Sequence, residues 1–498
     1  MVTTGLALVH TASVARIALV GIGVCGTLTL SRLAELADSS WSGTALDIVD
    51  RPENLGRGSA FGSDIPAAAV NTSQHRLEAL SPSLNSFRSW LDESGSPSTD
   101  LDERPMSRSV YGDYLAATLA KAIDRLRDCG VRVRFYPMHA RSVRPRVDGL
   151  AARGDTAELP SADIAVLAPG VWSPPPPAVS HHIVDAYPLS GLRARIGDQR
   201  SVAVLGSGLT AVDVACALDD GETRVHLLSR SGTLPRVQVE AAQNADVPRH
   251  LTEAAVIRLA VWSKLTAKSV LALLDRELAR FGFRRSDVLD EVAHAQHWSD
   301  PMADPADLAC HHTLSATNHA LNTAFALLPE RERILLRASL GPKWFRYRVR
   351  VPLSRWRQLR DMQGGGRLIV HGGVDARDRG LDDILANLGT DRVIPAFGQS
   401  SNLWEGPKLV AGLVASGLVG CDGEGRGLVD PRTCRALNPS GQPRDDLLLL
   451  GQASAGSYFT VSALDVVIEQ ARRAAQTITD AITATSTRLS APAPRKAA

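Results

Sequence analysis

Two short glycine-rich runs carry the most chemical information in this sequence, Gly21-Ile22-Gly23-Val24-Cys25-Gly26 and Gly206-Ser207-Gly208-Leu209-Thr210-Ala211. In such a run the first glycine permits a tight turn and the second lets the backbone approach a pyrophosphate. The third small residue, Gly26 or Ala211, brings helix close to strand. A helix opening at the turn faces the phosphate charge with free N–H groups and the positive end of its dipole. The chemistry these spacings suit is the binding of two dinucleotides.

The residues that end the following strands differ. Asp50 closes the strand after the first turn, where a carboxylate accepts hydrogen bonds from the two hydroxyls of an adenosine ribose. Ser229-Arg230 closes the strand after the second. An arginine there pairs with a 2′-phosphate that an acid would repel, which favours NADPH over NADH. The bland alternative makes Arg230 a solvated strand-end residue, and Arg236 is a second candidate for the same phosphate. Two dinucleotide sites in one chain imply hydride transfer between cofactors. FAD is assigned to the first site and the exchangeable NADPH to the second.

Both turns sit in the required context. Residues 16–20 and 46–50 read as strands on either side of a helix running to about Ala37, and 202–205 and 225–229 flank a second helix through Leu218. The expected class is therefore α/β, with two Rossmann-like dinucleotide-binding domains. From Cys129 to Arg146 the pattern suggests a small β-meander. Four prolines, Pro174 to Pro177, can continue neither a strand ladder nor a helix and mark a crossing between domains. Strand-like runs after Arg367 and a helix from about Ser462 to Thr479 return the chain to the first domain. The expected division is a discontinuous FAD domain, 14–175 and 365–480, and an NADPH domain, 195–362, with a helical insertion, 239–339. A disordered tail, 481–498, closes the chain.

Composition bounds the rest. With 498 residues, a formal charge of +2 and 22% charged residues, the chain is long enough for two or three ordinary domains. Nothing in that balance points to nucleic acid. The apolar run Ile17 to Leu30 is too short for a membrane span and contains three glycines. Six scattered cysteines contain no Cys-x-x-Cys pair, so a reducing, cytoplasmic setting is expected. His294, His297, Cys310, His311, His312 and His319 form a histidine-rich stretch, but no spacing matches a zinc motif and no metal is expected.

Several further runs resemble the bacterial FAD/NAD(P)-binding oxidoreductases and, more broadly, class B flavin-dependent monooxygenases. They are Gly56-Arg-Gly58-Ser-Ala-Phe-Gly62, Val70-Asn71, Tyr111-Gly112-Asp-Tyr-Leu115, the second turn through Asp213, and Leu228 to Arg236. Gly451-Gln452-Ala-Ser-Ala-Gly456 and Glu469-Gln-Ala471 resemble that family's closing flavin segment, although Gln452 stands where an aspartate is common. The resemblance implies that NADPH reduces FAD, that reduced FAD takes up dioxygen, and that a C4a-hydroperoxyflavin delivers one oxygen atom to a small molecule. An amine nitrogen in specialised metabolism is the candidate acceptor. Asn71 and the segment Gly456 to Thr460, including Tyr458, are the expected neighbours of the isoalloxazine; as bland alternatives, Asn71 is a turn amide and Tyr458 is packing. Two other readings stay open, an oxygen-independent reductase or dehydrogenase and a non-catalytic flavin-binding protein. The alternating run Trp344 to Arg350 would, as a strand, place Arg346, Arg348 and Arg350 on one side, either toward an acidic substrate or the NADPH phosphate or, as the bland alternative of at least equal weight, as solvated edge charges. Substrate identity and oligomeric state are not readable.

Overall fold

The computed structural model describes residues 15–62, 70, 77–78, 80–95, 106–238, 247–289, 305–378 and 380–490. Its strands are β1 (Arg16–Val20), β2 (Ala45–Asp50), β3 (Arg132–Pro137), β4 (Ala140–Arg146), β5 (Gly149–Gly154), β6 (Ile164–Leu167), β7 (His182–Ile183) and β8 (Ser201–Leu205). They continue with β9 (Arg224–Leu228), β10 (Arg236–Gln238), β11 (Arg350–Pro352), β12 (Leu368–His371), β13 (Arg392–Pro395), β14 (Arg435–Leu437) and β15 (Pro443–Leu449).

Two separate sheets form. The first runs β14-β15-β6-β1-β2-β3 and is parallel except for the β14–β15 pair. It joins strands from both ends of the sequence, as a discontinuous domain requires. The second runs β12-β9-β8-β13-β7 and is wholly parallel. Both are α/β sheets of Rossmann type.

Strands buried on both faces explain the near-continuous apolar runs at β1, β6 and β8. Alternation divides them between two layers. Ile17, Leu19, Ile48 and Val166 pack under the helices Val24–Leu36, Arg108–Asp128 and Leu464–Ser490, through Leu30, Leu33, Leu119 and Ile478. Ala18, Val20, Val49 and Leu167 face the antiparallel β4–β5 hairpin, through Val143 and Leu150, and the helix Lys408–Ala415. Among the described residues no helix is long and apolar enough to cross a membrane.

The structure corrects four expectations about elements. The runs 368–371 and 392–395 belong to the second sheet, so the return to the first falls after Pro395, not at residue 365. An apolar strand looks the same from sequence whichever parallel sheet takes it. The expected meander is likewise split, because β3 joins the first parallel sheet and only β4 and β5 form a hairpin. Trp344 to Arg348 lies in the helix Glu330–Arg348, and only Arg350–Pro352 is a strand. Alternating charge there reflects a helix whose Trp344 and Tyr347, three apart, are buried together. Finally, the last helix continues to Ser490, past the expected start of a tail at 481. The proline crossing does lie where the chain passes from β6 to β7, between the two sheets.

The helical segment between β10 and β11 is anchored by buried charge. β10 and β11 pair in parallel, Arg236 opposite Arg350. Both guanidinium groups reach Asp307, on the helix Pro305–Ser315, at 2.5 and 2.8 Å. All three side chains are at least 95% buried, and both arginines lie over the Tyr347 ring at 5.1 and 5.4 Å. A buried ion network of this kind is costly to break from one side, because the remaining charges lose their counterion. Asp307→Asn, which keeps shape and removes the charge, is expected to cost about 3–5 kcal/mol. A urea midpoint equal to that of the parent would contradict this account.

Candidate functional site

At the first turn the backbone leaves no room for side chains. Gly21 has φ +92°, and a Cβ there would lie 2.1 Å from the Ala168 carbonyl oxygen at the end of β6. A Cβ on Gly26 would lie 2.2 Å from the Gly21 carbonyl oxygen. The helix Val24–Leu36 thus starts hard against β1, and its N-cap, Gly23, supplies no capping side chain. Its first N–H groups need an acceptor from elsewhere. Gly23 in turn faces Gly58, where a Cβ would meet Cα at 3.1 Å.

Asp50 stands at the end of β2, half-buried. Its Oδ2 accepts the Ile22 N–H at 2.8 Å, and its Oδ1 accepts the Arg51 N–H at 2.7 Å and Asn54 Nδ2 at 2.9 Å. Three donors fix the carboxylate beside the turn and leave acceptor capacity for ribose hydroxyls. Asn54 was not singled out from the sequence, and an amide four residues after the acid was its only signal. The loop from Gly56 lies on the helix Arg108–Asp128, since Cβ atoms on Gly56 and Gly112 would fall 2.5 Å from Ala116 Cα and 2.0 Å from the Phe61 carbonyl oxygen. The separate runs that resemble one family therefore meet in space.

The closing segment joins them. Gly451, with φ +65°, packs against Cys25, and its N–H donates to Gln470 Oε1 at 2.8 Å. Gln452 is buried and commits its Nε2 to the Ser400 carbonyl and Ser401 Oγ. Burial pushes the Cys25 thiol up to about 12, which favours the neutral form.

The second turn repeats the first. Gly206 has φ +131°, and a Cβ there would lie 2.3 Å from the Ala396 carbonyl oxygen at the end of β13. Ala211 is fully buried under the sheet, while Leu209 and Thr210 are half-exposed at the helix start. Ser229 Oγ accepts from Ser207 Oγ at 2.9 Å and from the Gly232 N–H at 3.0 Å. These bonds tie the turn to the end of β9. Arg230 is exposed there, and among the described residues its guanidinium has no hydrogen-bond or ion-pair partner. Arg236 cannot share its expected task, because Asp307 holds it in the core.

The Tyr458 ring is buried and its hydroxyl lies 4.0 Å from Cys434 Sγ, so burial holds its pKa well above the ordinary value. Asn71, His294 and His297 lie outside the described residues. Among the described residues, no three His, Cys, Asp or Glu side chains are grouped for a metal ion. His311 instead bonds the Arg348 carbonyl at 3.0 Å, and burial holds it well below the ordinary histidine value.

What the sequence did not reveal is the use of the helical segment. Asn322 Oδ1 accepts the Phe459 and Thr460 N–H groups at 2.9 and 3.0 Å, and its Nδ2 donates to the Thr460 carbonyl at 3.0 Å. Arg337 Nη2 donates to the Ala455 and Tyr458 carbonyls at 2.9 and 2.8 Å. Burial brings that guanidinium down to about 10. The helical segment therefore fastens the 455–460 backbone. Two asparagines four apart in the run Asn318 to Leu327 were the available signal.

One glycine separates packing from binding. Nothing lies within 4 Å of a Cβ built on Gly208. Gly208→Ala is expected to leave folding and flavin content intact while raising the dissociation constant for NADPH about tenfold or more, because that Cβ would occupy the approach of a pyrophosphate. Unchanged affinity in a fluorescence titration would remove the second turn from nucleotide binding.

Residues 18–171 match the family model described as FAD-NAD(P)-binding. No curated protein sequence matches the chain. Among solved structures, FAD-bound DfoA, the desferrioxamine-pathway cadaverine monooxygenase of Erwinia amylovora, aligns with a TM-score of 0.55 at 14% identity over 97% of this chain and 96% of its own. L-lysine 6-monooxygenase from Pseudomonas syringae aligns at 0.49 and 16% identity, over 94% and 99%. Ornithine hydroxylase (PvdA) from Pseudomonas aeruginosa aligns at 0.49 and 13%, over 96% and 100%. At such identities the likeness speaks for the fold. The matched residues 18–171 contain the glycine cradle and the fixed Asp50, so the likeness to the FAD-NAD(P)-binding family model and the geometry fall on the same part of the chain.

Proposed function

We propose that the protein is an FAD-dependent, NADPH-consuming monooxygenase that hydroxylates the nitrogen of a small amine. The observation that carries this reading is the inequality of its two turns, a fixed carboxylate at the first and an exposed arginine at the second. The overall fold shared with an FAD-bound amine monooxygenase supports it.

Gly21, Gly23, Gly26 and Asp50 would hold the adenosine diphosphate of FAD, and Gly206, Gly208, Ser229 and Arg230 would hold NADPH. Bound FAD, once reduced, supplies the activation of dioxygen. In the overall reaction one oxygen atom enters an N–H bond and the other leaves as water, with NADPH and a proton supplying the hydrogen and electrons. The chain's own part is positional. Asn322 and Arg337 hydrogen-bond the backbone at Ala455 and at Tyr458 to Thr460, which would fix that segment beside a bound flavin.

Two measurements test this. With oxygen-18-labelled dioxygen, NADPH and a panel of small amines, a product carrying one labelled atom is expected. NADPH oxidation that returns all oxygen as hydrogen peroxide would make the protein an oxidase or reductase, and a flavin that NADPH does not bleach anaerobically would make it a binding protein. Arg230→Asp is expected to raise KM for NADPH at least about tenfold while leaving KM for NADH nearly unchanged, since only the former carries the 2′-phosphate. Equal changes for both would exclude Arg230 from phosphate recognition.

A further inference from the structure

The two halves also meet directly, through a charged triangle. Asp213, on the helix Leu209–Ala217 that follows the second glycine turn, pairs with Arg108 Nη2 at 2.9 Å and accepts the Tyr187 hydroxyl at 2.9 Å, both on Oδ2. Arg108 Nη1 donates in turn to the Tyr187 hydroxyl at 3.3 Å. Arg108 opens the helix Arg108–Asp128 of the first half, and Tyr187 stands between β7 and β8 of the second. The Arg108 and Asp213 side chains are only 21% and 11% exposed. Burial raises the Asp213 carboxyl above its ordinary range, and Arg108 opposes that rise.

Each end of the triangle lies close to a glycine turn. Asp213 stands about one helical turn after Leu209, the first residue beyond Gly208. At the other end, Tyr111 and Leu115 follow Arg108 on its helix and pack in one apolar cluster with Val24, the first residue of the helix that leaves the first turn. Val70 packs against the same cluster, and its N–H donates at 2.8 Å to the carbonyl of Met106, just ahead of Arg108. A short chain of contacts therefore runs from the start of one helix to the start of the other. An ion pair closed by hydrogen bonds fixes direction as well as distance, which apolar packing alone does not.

Resting on the reading that NADPH reduces a bound FAD, we propose that Arg108, Asp213 and Tyr187 clamp the second turn at the spacing from the first that hydride transfer requires. That step moves one hydride, with its electron pair, from NADPH to FAD. NADP+ is left, and a proton from solvent completes the reduced flavin. Reacting atoms must approach within about 3–3.5 Å, and a misplacement of about 1 Å costs on the order of a hundredfold in rate. The three side chains are positioning residues, since they act through the two helices and not on either nucleotide.

Charge exchange tests the clamp. The variants are Arg108→Asp, Asp213→Arg, the two together, and the milder Asp213→Asn, which keeps shape and loses charge. An acid at position 108 suits the start of a helix, so that exchange does not by itself unsettle it. In anaerobic stopped flow at saturating NADPH, flavin reduction is expected to slow about tenfold or more in each single exchange and about threefold or more in Asp213→Asn. The double exchange should return to within about threefold of the parent, because the pair is restored. FAD content, the dissociation constant for NADPH and reduction by dithionite, which needs no second turn, should stay near parental values. In the nucleotide-free proteins, amide hydrogen exchange over residues 209–217 is expected to quicken about tenfold in the single exchanges and to recover in the double. Should a single exchange fail to fold, Asp213→Asn decides. Parental reduction rates in the single variants, unchanged hydrogen exchange, or a double exchange no faster than the singles would overturn the proposal alone. A parent flavin that NADPH does not bleach would overturn the reading itself and the proposal with it.

Discussion

A glycine Cα pressed against the carbonyl at the end of a neighbouring strand is the contact on which both halves of this molecule are built. Gly21 meets Ala168, and Gly206 meets Ala396, with no space for a methyl group in either place. The left-handed φ at each glycine turns the chain out of the strand at once, so the next helix begins over the sheet edge. Its uncapped N–H groups then converge on the crevice at the strand ends, where open α/β sheets bind their ligands. Everything placed around that crevice, Asp50, Gly58, Cys25 with Gly451, and Ser229 with Ser207, takes its position from the same two close approaches. The crossing segments Ala168-Pro169-Gly170 and Ala396-Phe397-Gly398 begin at the very carbonyls that the glycines contact. Binding turn and domain crossing are thus adjacent in both halves.

This explains which parts of the molecule could be read from its residues. Gly21 and Gly206 were legible because no other residue type satisfies both the dihedral and the packing. Asp50 was legible because strand length sets where a strand-end acid stands. Sheet membership was not: β12 and β13 carry ordinary apolar runs, and whether such a run pairs with β9 and β8 or with β6 is decided by contacts more than a hundred residues away in sequence. The same holds for Arg236. Its place after a nucleotide-binding strand suggested a phosphate ligand, yet its partner is Asp307, 71 residues on, in a helix whose position no local pattern specifies. Nor does local sequence show that the Tyr458 hydroxyl turns inward to Cys434, which stands 24 residues earlier in the chain.

The helical segment has no glycine turn or strand–turn–helix order to announce a role. Its contribution is made by single polar side chains, Asn318 and Asn322 on one helix and Arg337 on the next, whose sequence is charged, each directed at the segment 455–465. Asn322 reproduces with one amide the donor and acceptor pattern that a paired strand would present. The segment 455–465 is therefore held by helices that lie between β10 and β11. A displacement of the helices would be transmitted as a change in backbone hydrogen bonding in that segment.

The paired strands β10 and β11 give this arrangement a further property. They bring the entry and exit of the helical segment to adjacent hydrogen-bonded positions, Val237 beside Val351, so that to the second sheet the intervening residues are topologically a loop. A loop with fixed, neighbouring ends can be lengthened, shortened or replaced wholesale at little conformational cost to the body that carries it. The glycine-turn framework and the helical segment are in that sense separable inheritances. One is constrained by carbonyls that tolerate only glycine, and the other is free to diversify by exchange of a single cassette.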